Sequence, residues 1–139
     1  MKRRSRAREV ALQLLFQFDN NGKTPREAVE PFAAQRLREP ALVKFCMALY
    51  DGVTRNVKDI DLRLSHAAEN WRVARMTAVD RNILRIGAFE ILYQPDTPHA
   101  VIVDEAVELA RRFGTEDSSA FVNGVLDRLR RDAAPPVEK

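Results

Sequence analysis

The segment from Ala78 to Tyr93 constrains the fold of this chain more than any other. Projected at roughly 100° per residue, Val79, Ile83, Leu84, Ile86, Ala88, Phe89, Ile91 and Leu92 leave almost no direction without an apolar side chain. A helix that is apolar all round has to be surrounded, so it belongs at the centre of a bundle. Thr77 followed by Asp80 has capping-box spacing and marks its start, and Pro95 and Pro98 mark its stop. Gly87 in its middle is unfavourable by about 1 kcal/mol, which close approach of a neighbouring helix offsets. Glu90 falls in the apolar arc; buried there, its carboxylate needs a donor, and its role reads as structural.

Helical periodicity continues on both sides. A first helix is predicted from about Ser5 to Asp19, stopped by Asn20, Asn21 and Gly22. Thr24 as N-cap, Pro25 in the first turn and Glu27 open a second that runs to about Arg38. Pro40 opens a third carrying Leu42, Phe45, Leu49 and Val53, and a fourth spans about Asp59 to Ala68 with Ile60 and Leu64 one turn apart. The sixth starts near Ala100 with Ile102, Ala106, Leu109, Ala110 and Phe113 on one inward stripe, and Gly114 suits a left-handed closing position. The seventh runs from Asp117 or Ser118 to Arg131. Only Val101 to Val103 alternates like a strand, so the fold is all-α with about seven helices.

With 139 residues the chain can bury roughly two-thirds of its unfolded surface without metal or disulfide. The single Cys46 excludes an internal disulfide and a clustered-cysteine zinc site, and fits a reducing, cytoplasmic setting. No apolar run approaches the roughly 20 residues that cross a bilayer, and no signal-type apolar segment opens the chain, so no membrane association is expected. The net charge of +3 is uneven: Lys2, Arg3, Arg4, Arg6 and Arg8 supply five of the 23 bases with no acid among the first eight residues, and the remaining 18 bases face 20 acids. Such a block is the electrostatic footprint of a phosphate-binding arm; a solvated tail and an Arg-rich transit peptide are the competing readings.

Enzyme templates fail. The five glycines have no phosphate-loop spacing, and His66 and His99 lack ligand neighbours for a metal. Asp59 with Asp61, and Glu116 with Asp117, sit at predicted helix starts where the helix dipole accounts for them. No catalysis, cofactor or metal is expected. Two aromatics stand apart from a pure core. Phe16 points into the arc that holds Arg8, Glu9 and Gln13, which leaves open either packing within the chain or contact with a second protein. Phe121 lies at the margin of the seventh helix, on one edge with Asp117, Gly124 and Arg128; it is either a core-edge residue or a platform for an unpaired base.

Several blocks together carry a family resemblance. They are Ala7-Arg8-Glu9, Ala11-Leu12-Gln13-Leu14-Leu15-Phe16, Glu69-Asn70-Trp71, Asp80-Arg81-Asn82-Ile83-Leu84-Arg85-Ile86-Gly87-Ala88-Phe89-Glu90, Glu105-Ala106-Val107-Glu108-Leu109-Ala110 and Phe121-Val122-Asn123-Gly124-Val125-Leu126-Asp127. In order and spacing, from about Arg6 to Leu129, they resemble the NusB family of bacterial transcription antitermination factors. The resemblance implies two small helical bundles packed crosswise, with a basic arm over 1–9, subdomains over 10–76 and 77–131, and a tail over 132–139. It implies a non-catalytic protein that binds the boxA element of ribosomal RNA leader transcripts as a single strand, together with NusE, a small-subunit ribosomal protein, within an RNA polymerase antitermination complex. Position by position, Lys2, Arg3, Arg4, Arg6 and Arg8 correspond to the RNA-binding arm, and Asp117 and Phe121, with Arg128 on the same edge, to the RNA-facing surface. Phe16 and Asp80 correspond to the NusE contact; relatives can carry a tyrosine at the first, whose hydroxyl is absent here. A homodimer is compatible with the sequence. The alternative from another class is a helical protein adaptor that never touches RNA.

Overall fold

The computed structural model describes residues 3–21, 25–69 and 72–133. Among them are seven α-helices and one 3₁₀ turn, with no strand: α1 (Arg3–Asn21), α2 (Arg26–Leu37), α3 (Pro40–Arg55), α4 (Val57–Ala67), the turn Val73–Arg75, α5 (Ala78–Tyr93), α6 (His99–Phe113) and α7 (Ser118–Ala133). The stop at Gly22, the cap at Thr24, the Asn70-Trp71 pair and the tail beyond residue 133 lie outside the described residues. No helix among the described residues is long and apolar enough to cross a membrane.

The chain divides into two compact units, residues 1–57 and residues 58–139. This moves the expected boundary at 76/77 back by one helix, because side-chain ties hold α4 to later helices. Asp61 on α4 takes the buried Arg85 guanidinium of α5 in a two-point bond, Nε to Oδ1 at 2.9 Å and Nη2 to Oδ2 at 2.8 Å. Asp59 accepts the Tyr93 hydroxyl at 2.8 Å. Both acids have specific partners, which the helix-dipole reading of this pair did not contain.

The first unit packs α1, α2 and α3. Ala7, Val10, Ala11, Leu14 and Leu15 are buried along α1, at the 3.6-residue spacing that brings them onto one face. Val29, Ala33 and Leu37 repeat every four residues along α2 and Leu42, Cys46, Leu49, Tyr50 and Val53 line α3. Helix α2 continues through Pro31 and starts one residue later than expected, with Pro25 at the N-cap position. Between α2 and α3 the chain turns at Arg38, with φ 65° and ψ −49°, and the Glu39 N–H reaches the Leu37 carbonyl at 2.6 Å. That is a γ-turn, a conformation strained for a residue with a side chain.

In the second unit α5 packs against α6 and α7 and is buried nearly throughout, as its all-round apolar pattern demands. A Cβ built on Gly87 would come within 2.7 Å of Leu126 Cδ1, so the glycine does mark close approach, between α5 and α7. Glu90 is buried, with 1% exposure. The Thr77 hydroxyl caps α5 by accepting the Asp80 N–H at 3.1 Å. Gly114 corrects the expectation of a left-handed cap: its φ is −95°, and glycine is needed there because a Cβ would collide with Ser118. Phe113 likewise departs from the inward stripe of α6. It is 41% exposed, with the Arg112 guanidinium 4.8 Å from its ring centre.

Candidate nucleic-acid interface

Three segments of the second unit meet at a cavity of about 280 Å³ lined by Arg75, Met76, Thr77, Asp80, Thr115, Asp117, Ser118 and Phe121. The 3₁₀ turn is fastened to α5 by Arg81, whose Nη1 donates to the carbonyls of Val73 (3.0 Å) and Met76 (3.1 Å). The loop before α7 is organised by the buried Ser118, whose Oγ accepts the Thr115 N–H at 2.9 Å in the space that Gly114 leaves. The Asp117 carbonyl then accepts the Phe121 N–H at 3.1 Å, which starts α7 and points Phe121, half-buried, along the cleft. Asp117 is exposed. Asp80 is nine-tenths buried, and its Oδ1 has no hydrogen-bond partner. One base against two acids gives the cleft a formal charge of −1.

Asp80, assigned by resemblance to a protein contact, thus shares one cleft with Asp117 and Phe121, assigned to RNA. Arg128 does not join them. It lines a separate cavity with Arg63, His66, Leu129, Asp132 and Ala133. Its Nε donates to Asp132 Oδ1 at 3.1 Å and its Nη1 to Glu69 Oε1 at 2.7 Å. These bonds, that to Asp132 first, raise its pKa above the ordinary arginine value. The single edge expected from helical spacing is therefore split at Gly124, because two acids draw the long Arg128 side chain away from Phe121.

In the first unit the basic segment is helical from Arg3 onward and not an appendage; Lys2 lies outside the described residues. Arginine is a good helix former, so α1 extends two residues further back than its apolar stripe suggested. Arg3 pairs with Glu39, and Arg6 Nη1 meets Glu9 Oε2 at 2.5 Å. Arg4 and Arg8 place their guanidiniums 4.6 and 5.1 Å from the centre of the Phe45 ring. Arg8 is buried, with 3% exposure, so the surface cations of this segment are Arg3 and Arg4, with Arg6 partly covered. Phe16 is 39% exposed, which answers the question left open by its position on the helix. Leu12, one turn before it, is buried.

Comparison with known proteins gives one consistent result. The family model described as "NusB family" matches residues 5–131. The chain belongs to the NusB family. The transcription antitermination protein NusB of Sorangium cellulosum (strain So ce56) is 44% identical over 129 residues, covering 93% of this chain and 92% of that protein. Among solved structures, NusB of T. maritima superposes with a TM-score of 0.84 at 34% identity, covering 97% of this chain and 94% of its own. The structure of antitermination factors NusB and NusE in complex with double-stranded RNA shares the fold, with a TM-score of 0.85 at 24% identity and coverage of 95% and 98%.

The NusB family consists of transcription antitermination factors and not of enzymes. The NusB-like blocks from Asp80 to Glu90 and from Phe121 to Asp127 lie on α5 and α7, whose first turns form two walls of the cleft. Sequence reasoning missed the rest of its lining, Arg75, Met76, Thr77, Thr115 and Ser118. Thr77 was legible as a cap but not as a wall. It also missed Phe45, placed in the α3 core by its spacing but half-buried beneath two arginines. The run of arginines four apart, Arg4 and Arg8, was the available hint that one face of α1 needs a partner of this kind.

Proposed function

We propose that this NusB-family chain acts in the cytoplasm by binding the boxA element of ribosomal RNA leader transcripts together with NusE, and so joins an RNA polymerase antitermination complex. The observation that carries the reading is the convergence of Asp80, Asp117 and Phe121, from separate NusB-like positions, on one cleft beside a half-buried aromatic. A related fold is found with NusE and double-stranded RNA. An aromatic at a cleft mouth suits an unpaired base, which stacks on its face whatever its identity. Arg3 and Arg4, exposed on the first turn of α1, supply phosphate contacts, Arg6 adds a partly covered one, and Arg8 supports the stack on Phe45. Phe16 offers NusE an apolar contact on the exposed side of α1.

Titration of fluorescent boxA RNA with the protein, with and without NusE and across a salt series, tests this. Binding should be salt-dependent and tighter with NusE present. Phe16→Ala should weaken NusE binding while shifting stability by well under the roughly 3 kcal/mol of an emptied core site. Binding of NusE without any RNA affinity at low salt would instead favour the adaptor reading.

A further inference from the structure

Gly124 stands in mid-α7, exposed, and a Cβ built on it would meet nothing within 4 Å. Glycine is the poorest helix former after proline. At Gly87 a neighbouring helix explains the choice; at Gly124 nothing inside the chain does. The position follows Phe121 by three residues and precedes Arg128 by four, so it lies between them on one side of α7. Ala120, one turn earlier, is also small and exposed, which leaves a smooth strip of helix surface. A second observation shows that this end of the unit awaits something from outside: the nine-tenths-buried Asp80 lines the adjoining cleft with Oδ1 unsatisfied. Buried acceptors left without a donor are uncommon unless a ligand completes them.

We propose that Gly124 is a positioning residue for RNA: a strand whose base stacks on Phe121 and whose phosphate faces Arg128 crosses α7 at Gly124, where a side chain would lift it off the helix. Arg128 suits the far end, since among the described residues its Nη2 makes no bond while Nε and Nη1 are held by Asp132 and Glu69. A negatively charged cleft repels phosphate and leaves the base to enter, so the strand has to cross the helix with its backbone outside. The inference rests on the RNA-binding reading above.

The test compares parent, Gly124→Ala and Gly124→Leu for binding of single-stranded boxA RNA, without NusE, at one fixed salt concentration. Thermal melting should rise by about 2–5 °C in the alanine variant, because the helix gains propensity and no neighbour is touched. RNA affinity should nevertheless fall, modestly for alanine and by about tenfold or more for leucine, with an unchanged salt slope since no charge is altered. Leucine-variant affinity within twofold of the parent would overturn the proposal while leaving RNA binding intact. Loss of NusE binding with RNA binding retained would also overturn it, assigning the strip to a protein. A parent that binds no RNA would remove the broader reading, and this one with it.

Discussion

The same residue type on two helices has opposite surroundings, and substitution should reveal this. Alanine at Gly87 must push Leu126, which is fully buried on α7 and has no open space to move into. Overpacking of this kind costs about 1–3 kcal/mol, against a propensity gain of about 1 kcal/mol, so Gly87→Ala should destabilise by about 1 kcal/mol in urea unfolding. A stabilised variant would mean that Leu126 can rotate away. Burial decides Cys46 as well. It pushes the thiol up to about 12, leaving almost no thiolate at neutral pH. A thiol reagent at about pH 8 should therefore modify the native protein only as fast as it unfolds, and rapid labelling before any loss of helicity would contradict the burial.

At the level of helices, periodicity alone predicted all seven, because each buries a stripe that repeats with the helical turn. What it could not contain was any feature decided by a side chain from elsewhere in the chain. The start of α1 moves back to Arg3 because Glu39 and Phe45 accept its arginines. Phe113 turns outward beneath Arg112, and the shape of Gly114 is set by Ser118. The tie between α4 and α5 is of the same kind and has a measurable consequence. The Tyr93 hydroxyl, and then Arg63, hold the Asp59 carboxyl below its ordinary range, and Asp59 in turn raises the Tyr93 hydroxyl. A depressed carboxyl contributes stability that is present above its unfolded pKa and lost as pH falls through its folded value. The raised tyrosine contributes stability that is present below its unfolded pKa and lost as pH rises through its folded value. Tyr93→Phe should move the Asp59 titration upward, read by NMR of its side-chain carboxyl. If the titration stays in place, the bond does not persist in solution.

Over the whole molecule the charge distribution separates two contributions to RNA binding that a single affinity would merge. Nearly all the excess positive charge sits at the start of the first unit, whereas the aromatic cleft of the second unit is acidic. Charge neutralisation appears in the salt dependence and stacking does not, so the units can be read independently. Replacing Arg3 and Arg4 with alanine should lower the magnitude of the salt slope by about 0.7 for each phosphate that the protein no longer neutralises. The change falls short of two phosphates to the extent that Arg3 stays with Glu39. Phe121→Ala should weaken binding by about 1–3 kcal/mol with the slope unchanged. Asp117→Asn should strengthen it, because it removes a charge at the helix start while asparagine suits that position as well as aspartate does. The three variants, titrated against one boxA RNA over one salt series with circular dichroism as the folding control, give a pattern of slope change, weakened affinity and strengthened affinity. Identical slopes for the parent and the arginine variant would show that Arg3 and Arg4 serve only Glu39 and Phe45, and parental affinity for both cleft variants would place the RNA away from α7.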